Sequence, residues 1–449
     1  MINFKYVFKE LILQFQSSTL PEVKARDLIV PDIQREIITI IGPRRSGKTY
    51  LMYIKIKELF SKGIPKENII YINFEDERLL QADITDLNSL LIAYQELKPD
   101  ISLSDCYFFL DEIQNIDNWE KFVRRIHDSV SKNIYLTGSN SKFLTSDIAT
   151  SLRGRSINLD IFTLSFEEFL KFKNIDFNNF VNNQGLLLKY YNEYIEFGGY
   201  PSVVLNNNTL EKINLLQSYY NTLIQKDLQE RYKILNIELL KYFCQEIIQN
   251  NTNTISLNKI SNNAKSIGFK FEKNYIYTLY DSIQNIYLGR SISKYTESFR
   301  KSHLVEKKFY IIDNGIYNTV RYRQSENTGV LLEALVFQYL LRIPNLEIFF
   351  YKDSNDYVCD FVLKNSLVSG KVETVIQVTK SIADDQTYQR EIRGLISSMK
   401  YFKLKKGYII TQDDNSSEIE IDGFKILILN VKEFLLNFIF DKIGKENII

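Results

Sequence analysis

The chain has 449 residues, enough for two to four domains, and its 45% hydrophobic and 25% charged residues are ordinary for a soluble globular protein. Its net charge of +1 excludes a strongly basic or acidic protein, so any contact with nucleic acid has to come from a local patch. Lys9 and Glu10 interrupt any signal-peptide core, and no apolar run reaches the length of about 18 residues that a spanning helix needs, so no membrane association is expected.

The first strong element is Ile37-Ile38-Thr39-Ile40-Ile41, a β-branched run that predicts a buried strand. Gly42-Pro43-Arg44-Arg45-Ser46-Gly47-Lys48-Thr49 follows and fits the phosphate-loop pattern G-x-x-x-x-G-K-[ST] at each fixed position. Tyr50 to Phe60 reads as a helix, which completes the strand, loop and helix context the motif requires. In such a loop, backbone N–H groups and the helix N-terminus face negative charge. Lys48 then reaches the β- and γ-phosphates of ATP, and the Thr49 hydroxyl meets magnesium. Residues Gly42 through Tyr50 are the candidate nucleotide-binding set.

Strand-like runs continue at 68–74, 107–110 and 134–136, with helical patterns between them, and this alternation predicts an α/β fold with a parallel sheet. The run Tyr107-Phe108-Phe109-Leu110 ends in Asp111-Glu112. Four apolar residues followed by Asp-Glu read as a Walker B motif, with Asp111 holding magnesium and Glu112 polarising the attacking water as general base. After the next strand comes Thr137-Gly138-Ser139-Asn140, where Asn140 or Ser139 is placed to orient water beside the γ-phosphate; a plain Asn-containing turn is the alternative. Arg153-Gly154-Arg155 follows. Arg153 or Arg155 is a candidate to stabilise transition-state charge, in its own subunit or a neighbour's, and a surface loop is the other reading.

Residues 166–250 carry helical periodicity with few glycines. Beyond them, a short helix near 256–264, a second from about Glu272, and a strand at Phe309-Tyr310-Ile311-Ile312 make a helix, turn, helix, hairpin sequence, the pattern of a winged helix. Between 256 and 308 ten lysines and arginines stand against four acids, a local +6. Lys259, Lys265, Lys270, Lys273, Arg290 and Lys294 belong to this set, as do Arg300 and Lys301, and they are candidates for DNA phosphate contact unless they are simply solvated. A helix from Gly329, three strands over 346–379, a helix from Asp385 and a strand at 407–411 complete the pattern. Cys106, Cys244 and Cys359 form no CxxC pair, which points to a reducing, cytoplasmic setting without structural zinc.

The series GPRRSGKT, YINFEDERL, FFLDEIQNIDNWEKFVRRI, LTGSNS, LRGR and FGGYPSVV resembles the archaeal-type, AAA/STAND-like P-loop ATPases that carry a winged helix and a C-terminal restriction-endonuclease-like domain. The resemblance implies an ATPase domain at 1–165, a helical lid at 166–250, a winged helix at 251–325 and a nuclease-like domain at 326–449. It also implies that the Gly-x-Pro element Gly199-Tyr200-Pro201 contacts the nucleotide, so Pro201 joins the binding set. In the nuclease-like core a helix Glu, a strand Asp and an E-x-K tripeptide hold magnesium, and Glu333 and Asp360 match the first two. Gln377 and Thr379 stand where the tripeptide has Glu and Lys, and Thr387, Arg390 and Glu391 match a pattern of the same family. Glu333, Asp360 and Gln377 are expected to converge in a shallow cleft with weak magnesium binding, since two carboxylates remain and no lysine is in place. The expected function is magnesium-dependent ATP hydrolysis linked to DNA. The alternatives are an ATP-dependent switch acting on a protein partner and an ATP-gated nuclease; an oligomer is compatible with each.

Overall fold

The computed structural model describes residues 3–33, 35–139, 152, 154–175, 184–230, 232, 234–272, 274–298, 305–322, 328–365 and 370–436. The chain divides after Phe162 into two compact units.

In the first unit, helix α1 (Phe4–Ser17) precedes an alternation of strands and helices: β1 (Ile37–Ile41), α2 (Lys48–Ser61), β2 (Ile69–Asn73), α3 (Asn88–Leu97), β3 (Tyr107–Asp111), α4 (Trp119–Ser129), β4 (Ile134–Gly138) and β5 (Ser156–Asp160). The strands form one sheet in the order β2-β3-β4-β1-β5, with every neighbouring pair parallel. β1 and β4 are buried at each position, which is why they read as continuous apolar runs and not as alternating ones. β5 is an edge strand whose Ile157 and Leu159 pack on the core while Ser156, Asn158 and Asp160 do not. In a parallel α/β sheet, sites form at the carboxyl ends of the strands. Here that edge collects the ends of β1, β3 and β4.

The second unit begins with helices α5 (Phe166–Phe172), α6 (Gln184–Phe197), α7 (Pro201–Leu205) and α8 (Thr209–Thr222), the last running on into a π-helical stretch at Leu223–Glu230. Ser165 and Glu168 make a reciprocal capping box that starts α5. Next come α9 (Ile237–Gln249), β6 (Thr254–Ile255), α10 (Leu257–Ser266), α11 (Tyr275–Asn285), β7 (Gly289–Lys294) and β8 (Lys307–Ile311). After α12 (Asn314–Val320) and α13 (Thr328–Leu340), the remaining elements are β9 (Leu346–Lys352), β10 (Val358–Asn365), β11 (Val372–Thr379), α14 (Asp385–Phe402), β12 (Lys406–Thr411), β13 (Ser417–Ile421), β14 (Phe424–Asn430) and α15 (Val431–Leu435).

Among the described residues, the nine strands of this unit belong to one sheet, ordered β13-β14-β12-β11-β10-β9-β7-β8-β6. β7 and β9 pair in parallel at Ser293↔Phe349 and Lys294↔Phe350, so the sheet runs across the boundary expected at 325/326. One face buries Leu332, Leu335 and Val336 of α13 against Phe361, Ile376 and Val378. The other buries Ile392, Leu395 and Met399 of α14 against Cys359, Val362 and Val375. α14 approaches β10 so closely that a Cβ on Gly394 would lie 2.1 Å from the Val358 carbonyl oxygen.

Candidate functional site

The phosphate loop leaves β1 at Gly42. A Cβ at this position would stand 2.0 Å from the carbonyl oxygen of Ile161, so glycine lets the loop begin beside the chain that leaves β5. Gly47 caps α2 in the left-handed region at φ +99, and the unpaired N–H groups of the first helical turn carry the positive end of the helix dipole. Arg45 also has positive φ, at 62°. Ser46 Oγ donates to the Pro43 carbonyl at 2.8 Å. Arg26 donates to the carbonyls of Ser46 at 2.8 Å and Phe162 at 3.1 Å, tying the loop to the end of the unit. Arg44 pairs with Glu75. Lys48 opens α2 and is buried; its ammonium donates to the carbonyls of Gly42 at 3.2 Å and Pro43 at 3.0 Å, and lies 3.2 Å from Glu112 Oε1.

Asp111 ends β3, where its carboxylate accepts hydrogen bonds from Thr49 Oγ1 at 2.8 Å, Tyr71 OH at 2.9 Å and Thr137 Oγ1. Burial raises its pKa, the Glu112 charge adds to that, and the three hydroxyls oppose both. Thr137 Oγ1 in turn accepts the Glu112 N–H at 2.8 Å. Glu112 sits in the left-handed region at φ +52, a conformation costing about 1–2 kcal/mol for a residue with a Cβ. It swings its carboxylate away from Asp111 toward Lys48, the Ser139 N–H at 3.2 Å and the Gln114 amide. Burial alone pushes Glu112 up; Lys48 and then Arg44 outweigh it and hold the carboxyl at about 2. One carboxylate is therefore firmly ionised beside a lysine, while its neighbour is held by hydroxyls.

Thr49 and Asp111 offer the oxygen donors that a hard divalent cation takes. Gln114 Oε1, on the side chain that bonds Glu112, is buried with no hydrogen-bond partner. These residues fit magnesium. Residues 42–49 and 111–112 thus converge as expected. Tyr50 is exposed on α2. Ser139 reaches the site through its N–H and through its hydroxyl, which accepts the Gln114 amide at 3.4 Å, whereas Asn140 and Arg153 lie outside the described residues. Arg155 requires a correction. Its carbonyl accepts the Ile37 N–H at 2.7 Å and its side chain lies 3.2 Å from Asp128, at the start of β1, the end of the sheet opposite the loop. It does not reach the phosphate site of its own subunit. Tyr71, Thr137, Gln114 and Arg26 are site residues that sequence reasoning missed. Thr137 carried a signal, a hydroxyl at the end of the strand next to the acidic pair; Arg26, in an irregular segment, carried none.

The remaining predicted residues belong to the second unit. Pro201 is the first residue of α7. Before it, Gly199 N–H donates to Asp313 at 2.9 Å and Gly199 O accepts the Leu164 N–H at 2.7 Å. A Cβ on Gly198 or Gly199 would fall 2.0 Å from Asp313 or 2.3 Å from Leu164, so both glycines are demanded by packing within this unit. Glu333 and Asp360 do converge, but in a buried cluster and not a shallow cleft, with Lys308 of β8 at 3.0 Å from each. Burial, then the Asp360 charge, pushes Glu333 up to about 7 against the pull of Lys308. Gln377 donates to Glu391, accepts the Asp360 N–H at 3.3 Å, and Lys380 is exposed.

Against known families, residues 34–170 match a model described as an AAA domain, and residues 188–327 match a domain of unknown function. An uncharacterized protein of Methanocaldococcus jannaschii is 36% identical over 98% of this chain and 95% of its own length. One of Haemophilus influenzae is 32% identical over 68% of this chain and 74% of its own. Among solved structures, a Walker-type ATPase of Pyrococcus abyssi aligns with 71% of this chain and 95% of its own, at 14% identity and a TM-score of 0.39.

Proposed function

We infer the activity from a chain that belongs to the same family as the Methanocaldococcus jannaschii and Haemophilus influenzae proteins and whose residues 34–170 form an AAA-type P-loop ATPase domain: it binds ATP with magnesium and hydrolyses it. The observation that carries this reading is the joint placement of Lys48, Thr49, Asp111 and Glu112 at one edge of a parallel sheet. The loop amides and the α2 N-terminus receive the phosphates. Lys48 exchanges Glu112 and the loop carbonyls for phosphate oxygens. That exchange frees the Glu112 carboxylate, which the Ser139 N–H and Gln114 keep oriented, to take a proton from the attacking water. Thr49 and Asp111 are the residues that would hold magnesium, which would supply neutralisation of charge on the phosphates.

A link to DNA is the finer part of the proposal. The order α9, β6, α10, α11, β7, β8, with β6, β8 and β7 side by side, supports a winged helix. Lys259 and Lys265 on α10, and Lys270 just after it, are exposed. The test is ATP turnover measured with and without duplex and single-stranded DNA. Turnover stimulated several-fold, with a steep salt dependence, supports the DNA link. Turnover indifferent to both DNAs favours a switch acting on a protein partner, and absence of any ATP turnover overturns the ATPase reading.

A further inference from the structure

We propose that Lys308 is the resident cation of the Glu333–Asp360 pair, and that this cluster is a metal-independent ionic clasp closing the seam between β7 and β9. The nuclease-like resemblance implies a divalent metal on these carboxylates; the residues around them do not fit one. Lys308 Nζ lies 3.0 Å from Glu333 Oε1 and 3.0 Å from Asp360 Oδ1, which places the ammonium between the two oxygens a bridging ion would use. Neighbouring oxygens carry hydrogen bonds of their own. Glu333 Oε1 also accepts Tyr310 OH at 2.7 Å, and Asp360 Oδ2 accepts the Val378 N–H at 3.1 Å. The Gln377 carbonyl oxygen is taken up by the Asp360 N–H, and Thr379 Oγ1 donates to the Ser381 carbonyl at 3.3 Å. Among the described residues no group of three or more His, Cys, Asp or Glu side chains is arranged to hold a metal.

The backbone aims Asp360 at the lysine. β10 carries one extra residue between the pairs Cys359↔Tyr351 and Val362↔Phe349, a bulge of the kind that re-aims a side chain. Lys308, on β8, is thereby joined to β10 and to α13 across β7 and β9, which share only two registered pairs. All three charged side chains are at most 15% exposed. Removing the ammonium leaves two buried carboxylates facing each other, which is strongly destabilising. The clasp therefore ties β8, at the end of the basic 256–308 segment, to the C-terminal strands, and it leaves no vacant cation position between the two carboxylates for magnesium-dependent strand cleavage.

The test uses the full-length chain without nucleotide and Mn2+ alone as the probe, with binding read by electron paramagnetic resonance and stability by thermal unfolding. The clasp predicts that Asp360→Asn removes none of the Mn2+ signal of the wild type and leaves the change in unfolding between EDTA and millimolar Mn2+ as it is in the wild type. Lys308→Met is expected to unfold about 5–15 °C lower and to regain part of that loss with Mn2+, a rescue abolished in Lys308→Met/Asp360→Asn. If Lys308→Met does not fold, Lys308→Arg, which keeps the charge, is expected to fold and to show the wild-type response to Mn2+. A wild-type Mn2+ site that Asp360→Asn eliminates would overturn the proposal, and so would a Lys308→Met protein with unchanged unfolding.

Discussion

Lys48 Nζ and Glu112 Oε1 stand 3.2 Å apart, a buried ion pair joining the first residue of α2 to the residue that follows β3. In the proposed ATPase the pair unites two tasks: grip on the phosphates and activation of water. On that proposal phosphate oxygens compete with Glu112 for one ammonium, so that binding of ATP would release the base.

Replacing Lys48 with Ala removes the proposed phosphate-binding cation and leaves Glu112 buried without its ion-pair partner. ATP affinity and turnover are both expected to be lost, measured by nucleotide titration and phosphate release. Retention of both at the parent level would contradict the assignment.

Glu112→Gln keeps the shape and loses the base. ATP is expected to stay bound while turnover falls by at least about 10²-fold, the scale of general-base loss. A variant turning over at the parent rate would put the base elsewhere.

Tyr71→Phe deletes one of three hydroxyls bonded to Asp111 and leaves the ring's stacking on Phe15 in place. The magnesium concentration giving half-maximal rate is expected to rise ~10-fold, the usual scale for a residue that orients a ligand. ATP affinity measured in EDTA should not change. An unaltered magnesium dependence would make Tyr71 a packing residue only.

Asp313 is fully buried and accepts N–H groups from Gly199, Gly315 and Ile316; burial raises its pKa from 3.8 to about 6 against those hydrogen bonds. The folded state holds this proton more tightly than the unfolded state. Its contribution to stability is therefore complete below pH about 4 and is lost as pH rises through about 6. Denaturant unfolding between pH 4 and 7 should show that decline, and Asp313→Asn should flatten it. An identical pH profile in the variant would remove Asp313 as its source.

Changing Lys259, Lys265 and Lys270 together to Glu is expected to weaken DNA binding at least ~10-fold and to reduce its salt dependence, with ATP turnover in the absence of DNA unchanged. Undiminished DNA affinity would move the contact to another surface.

The phosphate loop and the acidic pair were legible because their chemistry is local: a loop that must wrap phosphates and a strand end that must present carboxylates restrict residue types at consecutive positions. β5 was legible in principle, as Ile157 and Leu159 alternate with polar residues, but five residues of alternation after an Arg-Gly-Arg turn also suit a loop. β13 and β14 are not legible in the sequence, because the pairing of β14 with β12 and of β13 with β14 follows from the sheet and not from the run itself. The basic segment was overread at one position. Lys308 counts toward its +6, yet it is buried against Glu333 and Asp360. Its neighbour Lys307 looks the same on paper, and only strand register separates the two.

What the sequence determined alone is the nucleotide site of the first unit, where Gly42, Gly47, Lys48, Thr49, Asp111 and Glu112 each answer a constraint set by adjacent residues. The tertiary structure decided the rest: Arg155 at the opposite end of the sheet, Tyr71 and Thr137 on Asp111, Gly198 and Gly199 against Asp313 and Leu164, and an ammonium from β8 between two carboxylates from α13 and β10. The reason is physical. A loop that binds phosphates works through contiguous backbone, whereas buried charge is balanced by whatever group the fold brings within about 3 Å, however distant it is along the chain.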